Sequence, residues 1–287
     1  MTFTEIYSGS RPVLSFEFFP PKKRELLNQT LELIAELNQL KPDLITVTYG
    51  AGGGTRGLTR EIVSYVHSRL HTIAVAHLTC INHTKDEIKQ VVSELEGEGI
   101  RHILALRGDT PKQVDNLVSP LDSFHNAKEL TEFLKSKSGF NIAVAGYPET
   151  HKDASSADAD LEYLKSKVDA GAEVIYTQLF FEPQIYFDFV KRARSIGIHI
   201  PIVPGIMPIS NTEQLKRFTS MCGASIPEKV TNELTSIGDN RDEIIRFGID
   251  FSISLCQELI NGGAPGIHIY TLNNSRQVAP IVKALKF

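Results

Sequence analysis

Cysteine is scarce in this 287-residue chain, with only Cys80, Cys222 and Cys256. They are odd in number, far apart and without C-x-x-C spacing, which argues against a disulfide framework and against a thiolate zinc site. No apolar run approaches the length of a membrane span, and Met1 is followed by a polar Thr-Phe-Thr-Glu stretch rather than a basic segment leading into an apolar one. A cytoplasmic protein is the expectation. Charge of one sign is also missing: 30 Lys and Arg against 34 Asp and Glu leave a formal −4. Without long charged runs, neither a nucleic-acid footprint nor a basic membrane-binding face is expected, and a small soluble ligand is the default partner. Several catalytic signatures are absent too. There is no G-x-S-x-G elbow for acyl transfer, no H-E-x-x-H, H-x-H or carboxylate cluster for a metal, and no P-loop lysine for nucleotide triphosphates.

What is present is a 41% hydrophobic chain of ordinary length for one α/β barrel. Eight short apolar runs recur along it: Val13 to Phe18, Leu44 to Tyr49, Ile73 to Leu78, His102 to Leu106, Ile142 to Gly146, Val174 to Gln178, Ile200 to Val203 and Ile267 to Tyr270. Their brevity and continuity fit strands buried on both faces. Between them apolar residues fall three or four apart, as in Leu27, Leu31, Ile34 and Leu37, or Leu161, Leu164 and Val168. Thr84 with Glu87 and Ser210 with Glu213 have capping-box spacing and predict helix starts. The alternation predicts an α/β fold, a single-domain (β/α)8 TIM barrel over residues 1–287.

Ser15-Phe16-Glu17-Phe18-Phe19-Pro20-Pro21 places a lone carboxylate at the end of the first predicted strand, which the two prolines terminate. A carboxylate packed against aromatic rings loses solvation, and that favours the protonated form a general acid needs. The alternative is a glutamate pointing outward and paired with Lys22 or Lys23. In such a barrel the strands' carboxyl ends share one mouth, and here they carry Glu17, Thr48, His77, Thr79, Arg107-Gly108-Asp109, Tyr147, Glu149, His151 and Gln178. Gly52, Gly54 and Gly57 satisfy G-x-G-x-x-G, but the next strand ends in Ala76-His77-Leu78-Thr79 without the acid a dinucleotide site requires. A βα loop that lets a flat ligand approach the backbone is the better use of those glycines. His77, Asp109, Glu149 and His151 lack metal-ligand spacing. Asp160, Tyr163 and Lys167 share a helix face, either as a solvated surface or as a clasp for the ribose and diphosphate of a cofactor.

These blocks resemble the methylenetetrahydrofolate reductase family from about Val13 to Asn273. The likeness lies in Phe16 to Pro21, Val47 to Ala51, His77 to Cys80, Leu106 to Asp109, Tyr147 to His151, Lys167 to Ala172, Thr177-Gln178, Pro204 to Ile206 and Tyr270 to Asn273, all in order. The resemblance implies a flavin-containing barrel that reduces 5,10-methylenetetrahydrofolate to 5-methyltetrahydrofolate. A reduced nicotinamide, NADH or NADPH, would deliver hydride to FAD and leave before the folate enters, giving ping-pong kinetics through one shared site. By the same resemblance Glu17 is the general acid for opening the folate's five-membered ring, and Asp109 lies near flavin and pterin. Gln178 binds the pterin, with Gln214 and Phe218 also touching the folate. Thr48, Tyr49, Ala51, His77, Arg107, Gly108, Asp109, Ala127, Tyr147, His151, Asp160 and Lys167 match positions lining the flavin or nicotinamide. A homo-oligomer is expected, as is indifference to S-adenosylmethionine, because the chain ends at Phe287 without a further regulatory domain.

The chain departs from the family pattern at three places. Asn126-Ala127, after an extended loop from Thr110 to Ser123, stands where Tyr-Ala is common at the adenine end of the flavin. Tyr163 and Ser166 replace residues that are commonly Asn and Arg. Asn274-Ser275-Arg276 follows Leu272-Asn273, where Arg usually comes directly after Asn, which leaves open whether Arg276 supplies that folate contact.

Overall fold

The computed structural model describes residues 1–49, 56–108, 122–285 and 287. Within them the strands are β1 (Val13–Phe18), β2 (Leu44–Val47), β3 (Ile73–Thr79), β4 (His102–Leu106), β5 (Asn141–Gly146), β6 (Val174–Thr177), β7 (Ile202–Val203), β8 (Gly205–Ile206) and β9 (Gly266–Tyr270). All pair in parallel, in the order β7-β6-β5-β4-β3-β2-β1-β9-β8. Strands β7 and β8 are two halves of one stave split at Pro204, which has no N–H to give a ladder. Its carbonyl still accepts from His268 N at 3.0 Å. Because β7 bonds β6 while β8 bonds β9, this stave joins both sheet edges and completes the predicted (β/α)8 barrel. Gly205 is needed there: a Cβ would lie 2.3 Å from the Thr177 carbonyl oxygen and 2.7 Å from the Tyr270 hydroxyl.

The helices are α1 (Phe3–Ile6), α2 (Leu27–Asn38), α3 (Arg56–Ser68), α4 (Lys85–Gly97), α5 (Ala127–Ser136), α6 (Ala157–Asp169), α7 (Pro183–Ser195), α8 (Thr212–Cys222), α9 (Glu228–Ile237), α10 (Arg241–Asn261) and α11 (Ser275–Ala284). The main core lies between sheet and helices, where Phe16, Phe18, Ile45 and Ile62 are buried. A second cluster, including Val13, Leu44, Val75, Leu104, Val174 and Val203, gathers around Phe3 and Ile6, so the short α1 closes the barrel floor. Thr2 and Glu5 form the reciprocal cap that starts this helix. At the opposite end Leu179, Phe181, Met207, Ile209 and Leu215 pack with α9 and the start of α10. With an apolar floor and walled sides, the polar interior residues face the mouth. No helix among the described residues is long and apolar enough to cross a membrane.

The predicted cap at Thr84 and Glu87 is present on α4. The one predicted at Ser210 moves one residue on: Asn211 caps α8 by accepting from Gln214 N. Asparagine does this as well as serine does, and the Ser210 hydroxyl instead donates to Gln214 Oε1 at 2.6 Å.

Candidate active site

Strand alternation decides what surrounds Glu17. Successive side chains point to opposite faces, so Phe16 and Phe18 enter the layer under the helices while Glu17 points into the barrel. Burial among phenylalanines, expected from the linear sequence, is therefore replaced by burial among imidazoles. Glu17 Oε2 lies 3.3 Å from His268 Nε2 and 3.4 Å from His77 Nε2, and the carboxylate side chain is only 8% exposed. Lys22 and Lys23 are exposed and make no ion pair with it among the described residues, which removes the outward-paired alternative. Burial pulls the His77 imidazole down to about 4, against the pull of the Glu17 charge, so it is neutral at pH 7.

Behind the acid runs a hydrogen-bonded chain that the strand-end motifs do not reveal. His268 is fully buried, and its Nδ1 meets the Ser15 hydroxyl at 2.8 Å. Its ring lies 4.6 Å from that of Tyr176, tilted by 37°, with Tyr270 edge-on at 5.3 Å. Tyr270 is itself tied down by donating to the Thr177 carbonyl at 2.7 Å. The Glu17 carbonyl accepts from both the Thr271 hydroxyl and the Thr271 N–H, at 2.6 and 3.1 Å. The signal for Ser15 and His268 is the same alternation: each stands two residues before a mouth residue, Glu17 or Tyr270, on an otherwise apolar strand. Thr46 Oγ1, beside Glu17 in register, and His77 Nε2 are buried without a hydrogen-bond partner. Orphaned polar atoms at this depth are the mark of a place where water or a ligand binds.

Around the rim, Tyr147 meets His151 edge to face at 4.5 Å. His151 N donates to Asp160 at 2.9 Å, and His151 Nδ1 accepts from Asp153 N at 3.1 Å. Arg107 pairs with Asp153 at 3.1 Å. Lys167, on the helix face shared with Asp160, turns inward: it is buried, and its ammonium donates to the Ala145 carbonyl at 2.6 Å. Burial lowers it from the ordinary 10.5 to about 8. Among the described residues no carboxylate stands within 4.0 Å of it.

The model of one protein family, methylenetetrahydrofolate reductase, matches residues 2–286. The chain belongs to the methylenetetrahydrofolate reductase family. It is 38% identical over 272 residues to the 5,10-methylenetetrahydrofolate reductase of Escherichia coli (strain K12), covering 95% of this chain and 90% of that one. It is also 40% identical over 282 residues to Methylenetetrahydrofolate reductase (NADH) 1 of Arabidopsis thaliana and 38% over 292 residues to a probable reductase (NADH) of Oryza sativa subsp. japonica. These alignments take in 94% and 98% of this chain, which spans about half the length of the plant relatives, 48% and 49%. Among solved structures, a Clostridium thermocellum protein described as binding two copies of 5-methyl-5,6,7,8-tetrahydrofolic acid superposes with a TM-score of 0.67 at 15% identity, over 99% of this chain and 97% of that one. At that identity the likeness concerns the fold.

The residues singled out by the resemblance fall into three places in this barrel. Glu17 and His77 lie inside it, in contact. Thr48, Tyr49, Arg107, Gly108, Tyr147, His151 and Gln178 follow the strand ends, and Gln178 has its side-chain oxygen turned back to Leu179 N at 2.9 Å. Ala127, Asp160 and Lys167 stand on α5 and α6, Gln214 and Phe218 on α8. Ala51 and Asp109 lie outside the described residues. Glu149 accepts from Ser225 N–H and hydroxyl, which ties it to the segment after α8 and not to the mouth.

The Lys167 ammonium costs the fold stability at neutral pH, by about 3 kcal/mol from the lowered value alone. Lys167→Met is therefore expected to stabilise the ligand-free protein by about 2 kcal/mol once the lost bond to Ala145 is allowed for. Urea denaturation of the ligand-free variant checks this, and a loss of stability would show the ammonium to be better accommodated than its burial indicates.

Proposed function

We propose that this chain reduces 5,10-methylenetetrahydrofolate to 5-methyltetrahydrofolate, with a reduced nicotinamide as hydride donor and FAD as the bound group. The observation that carries the reading is the buried Glu17 carboxyl, aimed from strand β1 into the mouth and backed by His268 and Ser15 in a chain of this family. The relatives whose names specify NADH favour that nucleotide.

The residues fit a flavin with an extended diphosphate. Lys167 offers a buried cation with no carboxylate within 4.0 Å among the described residues and His77 an unsatisfied ring nitrogen, while Gly108, with φ +89° and no room for a Cβ beside Ile81, turns the chain at the mouth. Thr48, Tyr49, Arg107, Ala127, Tyr147, His151 and Asp160 complete the set that would hold it. Bound there, FAD would supply hydride transfer between the nicotinamide and the folate carbon.

Glu17 then has one task, to deliver a proton to N10 of the folate as the five-membered ring opens. Neutral His77 brings no fixed positive charge to bear on that carboxyl. The proton itself comes from solvent, and Ser15 with His268 can hold the carboxyl in either protonation state. In one tautomer the Ser15 hydroxyl donates to His268 Nδ1 and the Nε2–H donates to the Glu17 carboxylate. In the other, protonated Glu17 donates to Nε2, the Nδ1–H donates to Ser15, and the hydroxyl turns to the Ile267 carbonyl 3.4 Å away. Gln178, Gln214 and Phe218 would position the folate so that its N10 meets the acid.

A purified sample is expected to be yellow, to bleach anaerobically with NADH, and to recover its colour on addition of 5,10-methylenetetrahydrofolate with release of 5-methyltetrahydrofolate. A colourless protein that still binds reduced folates would overturn the flavin assignment. A yellow protein that bleaches but is not reoxidised by the folate would overturn the substrate.

A further inference from the structure

Resting on the folate reading above, we propose that Tyr7, at the end of the floor helix α1, is a positioning residue for Glu17: through Ser15 and His268 it favours the carboxylate form and so makes Glu17 a readier proton donor. Tyr7 is the C-cap of α1 and packs, half-buried, against the floor cluster that includes Val13, Val75 and Val174. Its hydroxyl lies 3.0 Å from that of Tyr176, which is buried on β6, and Ser15 on β1 is its other hydrogen-bonding neighbour. Tyr176 in turn lays its ring against His268 on β9, with 4.6 Å between centroids. Residues from the floor and from three staves therefore meet inside the barrel, on the side of Glu17 away from the mouth. Neither phenol touches the reacting atoms, yet hydroxyls at this depth have to be satisfied by each other or by the polar residues next to them.

The proton count fixes the direction of the chain. Among the described residues the Tyr176 hydroxyl has Tyr7 as its hydrogen-bond partner and no other, so its proton goes to the Tyr7 oxygen. The Tyr7 proton is then left for the Ser15 oxygen. Ser15, accepting there, aims its own proton at His268 Nδ1, 2.8 Å away, in preference to the Ile267 carbonyl at 3.4 Å. With Nδ1 accepting, the imidazole hydrogen sits on Nε2 and donates to Glu17 at 3.3 Å. All the donors then point toward the carboxylate, and each polarises the next. The opposite arrangement, with Nδ1–H donating to Ser15, crowds a second donor onto the serine oxygen that Tyr7 uses and sends the serine proton to the longer bond. The other groups facing this chain do not impose the same bias. Asp43, which faces Tyr7, is paired with Arg11, while Glu17 otherwise faces His77, neutral at pH 7, and the Tyr270 phenol. Burial holds the Tyr7 and Tyr176 phenols above their ordinary range, so both keep their protons throughout the experiment below.

The test uses Tyr7→Phe and the double variant Tyr7→Phe with Tyr176→Phe in the flavin-loaded protein. The single variant strands the Tyr176 proton, whereas the double variant replaces both hydroxyls by apolar groups of the same shape and keeps the fold. In each, the alkaline limb of the pH profile for flavin reoxidation by 5,10-methylenetetrahydrofolate is expected to move up by about half a pH unit, the loss of one neutral hydrogen bond, with the plateau falling about threefold. Flavin reduction by NADH should be unchanged. A second readout needs no folate: with isotope-labelled histidine, the ring-nitrogen resonances of His268, assigned by their loss in His268→Phe, report its tautomer. The parent is expected to carry the hydrogen on Nε2 at neutral pH and the variants to shift toward Nδ1. If the limb and the tautomer both stay where they are in the double variant, Tyr7 serves only the packing of the floor and the proposal is overturned. If the folate does not reoxidise the flavin, the folate reading falls, and the His268 tautomer still decides whether Tyr7 acts on that imidazole.

Discussion

Glu17→Gln is expected to lower the rate of folate reduction by about 10²- to 10⁴-fold, the range general acid catalysis contributes. The amide keeps the side chain's size and can still accept from His268 Nε2–H, but at neutral pH it has no proton to release to N10. Oxidation of NADH by an artificial electron acceptor, which needs no proton at that atom, should stay of the same order. The two half-reactions are measured separately by anaerobic stopped-flow absorbance. If folate reduction in the variant proceeds at the parental rate, Glu17 is not the acid; if both half-reactions fall together while the thermal melt is unchanged, its role is in holding the ligands. His268→Phe supplies a second reading of the same chain of groups, because it leaves Glu17 in place but removes the imidazole hydrogen-bonded to it. Its folate rate should fall less than that of Glu17→Gln.

The barrel was legible in the sequence because strands buried on both faces read as uninterrupted apolar runs. Each of the eight runs corresponds to a stave. The seventh is broken by Pro204, which hydrophobicity cannot show but which follows from proline's missing N–H. The mouth was legible for the residues at strand ends, since topology alone delivers them to one side. The interior was not, because reading only the final residue of each strand passes over Ser15 and His268, two positions earlier on the same face. Glu17 illustrates the error in a single residue: its sequence neighbours are phenylalanines and its spatial neighbours are histidines. The floor was missed for a different reason, as α1 is four residues long and carries no helical periodicity to detect. Glu149 shows that a polar residue just beyond a strand can be drawn away by a later segment, here Ser225.

Acid is expected to unfold this protein near pH 4, and two histidines carry much of the effect. Burial lowers both His77 and His102 from the ordinary 6.5 to about 4. Since each folded-state value lies below the unfolded one, the unfolded chain binds more protons throughout that interval. The stability these two groups confer is therefore complete above pH 6.5 and is lost as the pH falls toward 4. Each accounts for about 3 kcal/mol, and together they approach the whole margin of roughly 5–15 kcal/mol that a folded domain possesses. His102 is the cleaner probe, because it lies at the barrel floor, with Phe3 edge-on at 4.9 Å and Nε2 donating to the Met1 carbonyl at 3.0 Å. His102→Gln keeps a donor for that carbonyl and removes the titrating group. Urea denaturation between pH 7 and pH 4.5 should show the parent losing about 2.7 kcal/mol per pH unit once both groups titrate, and the variant about half that slope. A parent whose stability is level across this range would mean that these imidazoles meet water in the folded state. A variant as steep as its parent would assign the acid sensitivity to groups other than the floor histidine, leaving His77 beside Glu17 as the first to examine.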